Sequence, residues 1–322
     1  MIRRFGVAGA AVGVLLAVSA GLTLGGCESS DEEEEALGGC WVHDGSRGVL
    51  VLLTKDGEVK AVASGFGKAD YMAARKGTGT LWVSDSAAAR LTRISGSGTK
   101  ELYVSGFVSP EALAVDPDSG DVYLSDPGAR EVVALDSGGS VLWRSGLDFP
   151  PRSLALAGGD GRLILTLALT DRLEPLVYGL EPADGAVVFE RFLPHGNYAL
   201  SADPEADCFW LVNGEALEKR SLADGSLLLT VTGLGSPRVV GAMGDGCWVY
   251  DAAGKDLILV DGDGEAAAMV ENLPGTPELS TLEDKVWLTV RGADLVALYD
   301  STGQRELRVS TVLSPSPLAA VR

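Results

Sequence analysis

Ser109-Pro110-Glu111-Ala112-Leu113-Ala114-Val115-Asp116, Asp121-Val122-Tyr123-Leu124-Ser125-Asp126, Glu131-Val132-Val133-Ala134-Leu135-Asp136, Ser137-Gly138-Gly139 and Val141-Leu142-Trp143-Arg144 follow one another in the chain. The apolar runs are short, rich in β-branched and aromatic residues, and bounded by Gly, Pro, Asp or Ser. That is the composition of strands joined by tight turns. The same phrase returns around Trp41, Trp82, Tyr123, Ile164, Trp210, Trp248 and Trp287, in steps of 41, 41, 41, 46, 38 and 39 residues. A period of about forty filled with strands marks an all-β toroidal propeller, one four-stranded blade per repeat. Seven blades are expected.

Each repeat carries a glycine before its outer strand: Gly57, Gly98, Gly139, Gly185, Gly225, Gly264 and Gly303. Tight hairpin turns that need a positive φ select this residue. The spacing from the Trp position is sixteen residues in five blades, fifteen in blade five and twenty-one in blade four, an insertion within Leu167 to Val177. Both faces of a blade pack on neighbours, so apolar runs need not alternate. The chain enters at Cys40-Trp41-Val42 with a second strand and no inner one. Ser314-Pro315-Ser316-Pro317-Leu318-Ala319-Ala320-Val321 matches Ser109 to Val115, so the last strand should complete the first blade and remove the free edges of an open ring.

Upstream of the repeats, Arg3 and Arg4 precede an uncharged run from Phe5 to Gly26, the pattern of an export signal. Leu24-Gly25-Gly26-Cys27 resembles the bacterial lipobox, which implies lipidation of Cys27 and stable anchoring by more than one acyl chain. An uncleaved membrane helix is the competing reading, which the length of the run allows. The Gly content and the placement of the cysteine favour the lipobox. Residues 28–35 hold six carboxylates in eight positions and read as a solvated tether. The expected organisation is therefore a signal peptide (1–26), a lipidated Cys with acidic tether (27–39), and a propeller (40–322). Its address would be the bacterial cell envelope, on the periplasmic or surface side.

The formal charge is −19, and loss of Arg3 and Arg4 takes it to −21. Such a body avoids nucleic acid and anionic lipid surfaces. Beyond Cys27 three cysteines remain, with no Cys/His cluster for zinc. Cys40 and Cys247 lie in non-adjacent blades. Cys208 and Cys247 lie in adjacent blades one position out of register, so two buried thiols are expected there over a bridge.

Leu81-Trp82-Val83-Ser84-Asp85 and Val122-Tyr123-Leu124-Ser125-Asp126 resemble the core of NHL and YVTN (YncE-type) propellers. Val133-Ala134-Leu135-Asp136-Ser137-Gly138-Gly139-Ser140-Val141-Leu142-Trp143 is similar to the PQQ-like repeat of quinoproteins and of BamB. The resemblance covers residues 40–322 and implies fold more than function. BamB-like propellers have eight blades, so a count of seven argues against close kinship, and against a PQQ enzyme for the same reason.

Loops entering the inner strands and loops joining strands two and three share one face, here the upper. Counting along the repeats places Asp70, Glu111, Arg152, Tyr198, Arg238, Glu278 and Pro317 at one equivalent position near the channel mouth. A ring of two Arg, three carboxylates and a Tyr suits a polar or zwitterionic ligand, though the same charges could simply neutralise one another. The blade-four insertion, with Thr170, Asp171, Arg172 and Glu174, is expected to overhang this face, where recognition loops belong. Asp44, Asp85, Asp126 and Asp251 recur after the second strand as turn formers. Asp261-Gly262-Asp263-Gly264-Glu265 is similar to a calcium loop but lacks the remaining ligands. His43 and His195 are the only histidines; they fall in blades one and five, read as surface loop positions, and form no triad order.

These features point to a monomeric, non-catalytic scaffold that binds an envelope protein or small polar ligand through the upper face. No cofactor is expected. The alternatives are a lactonase- or SMP-30-like hydrolase or lyase, which would hold calcium or magnesium at the channel mouth, and a BamB-like assembly factor.

Overall fold

The computed structural model describes residues 39–320 apart from 76, 159–161, 170–173, 194–197, 204 and 291. Twenty-eight strands fall into seven antiparallel sheets of four, each ordered from channel to rim. The molecule is a seven-bladed β-propeller. Blade three follows the sequence pattern closely: Leu113–Val115 is innermost, then Val122–Asp126, Glu131–Leu135 and Val141–Gly146. Among the described residues no helix is long and apolar enough to cross a membrane. The signal run, Cys27 and the acidic tether lie outside the described residues.

Closure is by the chain end. Pro315–Ala320 pairs antiparallel with Cys40–Asp44, setting Ala319 opposite Trp41 and Leu318 opposite Val42. The first blade thus contains strands from both ends of the body, and Cys40–Asp44 is not left with an unpaired inner edge.

The core is not central. It is divided into seven apolar clusters, each lying between two adjacent blades. One joins Trp41, Leu50 and Leu52 of blade one to Met72, Leu81 and Ile94 of blade two. This is why second and third strands are apolar on both faces: each face is an interface. Trp41, Trp82, Trp210, Trp248 and Trp287 are fully buried. The indole N–H of Trp41 donates to Gly79 O (2.8 Å) and that of Trp210 to Asp245 O (3.3 Å), in each case reaching the next blade's inner turn. A buried Trp needs such a partner for its one polar atom.

The repeated glycines have a second role besides their turn. Gly139 has φ +84°, and a Cβ there would sit 2.5 Å from Leu102 Cδ2 and 2.8 Å from Val104 Cγ2 on the outer strand of blade two. The missing side chain is the room into which the previous blade packs.

Candidate functional site

The channel is lined by the inner strands. Ala73, Ala114, Ala155, Ala202, Gly241 and Ala319 each come from a different blade and bound a cavity of about 300 Å³. The polar chemistry is at its upper mouth. A cavity of about 520 Å³ lies over blade one, between blades seven and two, lined by His43, Lys68, Asp70, Glu278, Ser314 and Ser316 among others.

Asp70 stands just before the inner strand Tyr71–Ala74. Its Oδ1 is 2.5 Å from Lys68 Nζ, and its Oδ2 accepts from Ser86 N (2.8 Å) and Ser86 Oγ (2.6 Å). Burial pushes this carboxyl up, but the bonds from Lys68 and Ser86 outweigh it and hold the group below its ordinary value. Lys68 is raised in turn, chiefly by that bond. Glu278 accepts from Ser316 Oγ, which ties blade seven to the closing strand.

Glu111 and Arg152 form a 3.5 Å ion pair between blades three and four. Burial lifts the Glu111 carboxyl above its ordinary value; Arg152 opposes this, while Asp70 and Asp126 add to it. Tyr71 sits among these groups. Burial first, then the Glu111 and Asp70 carboxylates, raise its hydroxyl; Arg152 opposes and Glu278 adds. Four of the expected rim residues thus bear on the Tyr71 hydroxyl. The counting that selected the charged position passed over Tyr71 because it is one residue later. Its signal was visible all the same, since the matching residues Ala112, Ala199 and Val239 are not aromatic.

The ladder corrects the sevenfold equivalence. Asp70, Glu111, Tyr198 and Arg238 each stand three residues before the inner-strand partner of the Trp-equivalent residue, namely Ala73, Ala114, Ser201 and Gly241. Arg152 stands four before Leu156, Glu278 two before Ser280, and Pro317 two before Ala319. The matching residues in those blades are Ser153, Pro277 and Ser316. Counting along the chain does not distinguish an extra residue in a loop from one inside a strand. Blade one has its irregularity between Val42 and Asp44, blade six between Pro237 and Val239, and blade seven pairs regularly from Pro277 to Leu282. A slip of one residue turns a side chain to the other face of its strand. Arg238 is exposed at its bulge, and the side chain of Tyr198 lies outside the described part.

His43 is a second correction. It is no surface loop residue but lies in the strand Cys40–Asp44, 5% exposed. Its Nδ1 is 2.8 Å from Ser316 O and its Nε2 2.9 Å from Phe66 O. A neutral imidazole donates only once, so only the doubly protonated ring bonds both carbonyls. Either way no ring nitrogen faces the cavity unoccupied. His195, Thr170, Asp171 and Arg172 lie outside the described residues.

The recurrent aspartates clamp the loops that enter the inner strands. Asp126 accepts from Val108 N (2.7 Å) and Ser109 N (2.8 Å), and Asp251 from Gly235 N (2.8 Å) and Ser236 N (2.7 Å). Asp44 accepts from Leu313 N (3.2 Å) besides Ser46 and Arg47 in its own turn. In blade two the clamp is inverted: Asp70 on the loop holds Ser86 beyond the second strand. The turn-forming role expected for these residues is thus extended to fastening two segments together. Asp261 accepts from Asp263 N (3.0 Å) and Glu265 N (2.9 Å), the geometry of a hairpin turn. Among the described residues no group of three His, Cys, Asp or Glu side chains is placed to hold a metal ion. Cys40, Cys208 and Cys247 are free and buried.

Other proteins share this architecture. The chain superposes on apo AztD from Citrobacter koseri with a TM-score of 0.67 at 12% identity, covering 88% of this chain and 97% of that one. For virginiamycin B lyase from Staphylococcus aureus the TM-score is 0.59 at 15% identity, over 74% and 83% of the two chains. For BamB from Moraxella catarrhalis it is 0.54 at 14% identity, over 85% and 83%. No protein-family model matches the chain, and no curated protein matches it in sequence. At such identities the likeness is one of fold, and the proteins that share it carry different roles.

Proposed function

We propose that the chain is a lipid-anchored envelope protein whose propeller binds a polar ligand or a partner protein, without catalysis, at the upper mouth. The observation that carries this reading is the cavity over blade one. It sets the Lys68 ammonium 2.5 Å from the Asp70 carboxylate, with Glu278, Ser314 and Ser316 also lining its wall. Mixed charges and hydroxyls on closed blades form a preorganised polar surface, which suits recognition of a zwitterionic or hydroxylated group. Asp70, Glu111, Arg152, Tyr198, Arg238 and Glu278 are the rim positions proposed to serve it.

The test is a thermal-shift and calorimetric screen of sugars, amino acids and divalent cations against the soluble body. A polar organic ligand should stabilise the wild type, and Lys68→Ala or Glu278→Ala should weaken it tenfold or more. A large stabilisation by calcium or magnesium alone would replace this reading with a hydrolase or lyase. Cys27→Ser should release the protein from membranes; intact-mass measurement of the wild type should find acyl chains on a new terminus at Cys27.

A further inference from the structure

The outer strands begin at equivalent places, just after the glycine turns of the lower face, and their first two residues differ from blade to blade. Blade two opens with Lys100-Glu101, blade seven with Arg305-Glu306, blade six with Ala266-Ala267 and blade one with Val59-Lys60. Blades three, four and five open with Val141-Leu142, Val187-Val188 and Leu227-Leu228. All six of these side chains are 43–57% exposed. An edge strand facing water ordinarily carries charge there, as blades two and seven do.

The three pairs adjoin one another. The turn opening the outer strand of blade four lies on the outer strand of blade three: Trp143 Nε1 donates to Pro182 O (2.8 Å) and Ser145 Oγ to Gly185 O (2.7 Å). Blade five repeats this, with Gly225 against Phe189 and Arg191 of blade four. The result is an apolar stripe three blades wide along one edge of the lower rim. Exposed apolar area gathered in this way is a mark of an interaction surface.

Charge decides the occupant. The turns bordering the stripe carry Asp136, Glu181, Asp184 and Asp224; Arg191 stands 3.6 Å from Asp224, while Arg93 and Arg220, which donate to Ser137 O and Gly225 O of these turns, are each paired with a carboxylate of their own, Glu101 and Glu218. Two copies packed stripe to stripe would oppose these carboxylates, on chains whose formal charge is already −19. An anionic lipid surface meets the same repulsion. A polypeptide with apolar side chains interspersed with Lys or Arg meets neither obstacle. We infer that the stripe of Val141, Leu142, Val187, Val188, Leu227 and Leu228 is a docking surface for a basic, apolar segment of a partner protein, separate from the ligand mouth above.

The probes are a synthetic peptide of alternating Leu and Lys and its Leu-Glu counterpart, titrated by fluorescence anisotropy against the purified chain. The wild type should bind the Leu-Lys peptide at least tenfold more tightly than a variant carrying Leu142→Thr, Val188→Thr and Leu228→Thr, and should not bind the Leu-Glu peptide. Threonine keeps strand propensity, so the variant's melting temperature should stay near that of the wild type. A second variant, Asp184→Asn with Asp224→Asn, leaves the apolar groups intact and should weaken binding while flattening its salt dependence. Val59→Thr in blade one should do nothing. Equal affinity in all variants would overturn the inference. So would a wild-type dimer in sedimentation that the Thr variant abolishes, or stripe-dependent binding to phosphatidylethanolamine–phosphatidylglycerol vesicles.

Discussion

Gly139 occupies a place where both the backbone and the packing exclude a side chain. Its φ of +84° disfavours any other residue, and Leu102 and Val104 of the neighbouring blade fill the Cβ position. Gly139→Ala should therefore destabilise the fold by about 1–3 kcal/mol, the ordinary cost of overpacking, read as a lower urea midpoint. Asp44 allows a pH test. Burial pushes its carboxyl up, but the bonds from Leu313, Ser46 and Arg47 prevail and hold it below the ordinary range. A depressed carboxyl adds stability above its unfolded value and loses it as pH falls through the folded one. Asp44→Asn should lower stability by about 2 kcal/mol at neutral pH, in the range for hydrogen bonds to a charged group. It should also flatten the acid limb of a plot of urea midpoint against pH. The burial of His43 was open to the same residue-level reading. It stands two positions after Trp41, as Ser84 stands after Trp82 and Ser125 after Tyr123, and both serines are fully buried.

At the level of strands, the closing segment Pro315–Ala320 bears the sharpest expectation. Cutting the chain before Leu313 removes the inner strand of blade one together with the Leu313–Asp44 and Ser316–His43 contacts. The truncated body should lose its single cooperative transition and become sensitive to protease at low enzyme ratios, since Trp41 and Leu50 would lose part of their cover. This closure was legible because the tail repeats the wording of Ser109 to Val115. The Trp and Gly periods were legible for a related reason: each marks a contact with the next blade, so the packing imposes it on every repeat. The rim was less legible. Whether Arg152, Glu278 or Pro317 faces as Asp70 does depends on one residue taken into a bulge, and bulges leave no fixed residue type behind. Tyr71 was missed because it stands one residue after the position that the counting selected. The apolar stripe needed both the strand starts and their exposure before the contrast between blades could be seen.

Considered as a whole, the ring distributes its stability over seven interfaces, so local chemistry reports on global opening. Cys40 is sealed between blades one and seven, and burial pushes its thiol far above its usual value. Cys247 is raised likewise by burial, and Cys208 is pushed up to about 11, chiefly by burial, with Lys219 opposing. A thiolate is the reactive form. In the native soluble body at pH 8, the thiols of Cys40, Cys208 and Cys247 should therefore resist a disulfide reagent such as dithiobisnitrobenzoate. All three should react as the urea concentration passes the unfolding midpoint. Fast labelling of Cys40 alone in native buffer would mean that the seam between the two chain ends opens independently of the rest.

The seam also governs when the molecule can exist during synthesis. The partner of the first described strand, Cys40–Asp44, is the last, Pro315–Ala320, so the nascent ring stays an open arc until that last strand has been made. A product released early carries a gap beside Trp41 that proteases can enter. The circle thereby acts as a check on its own closure.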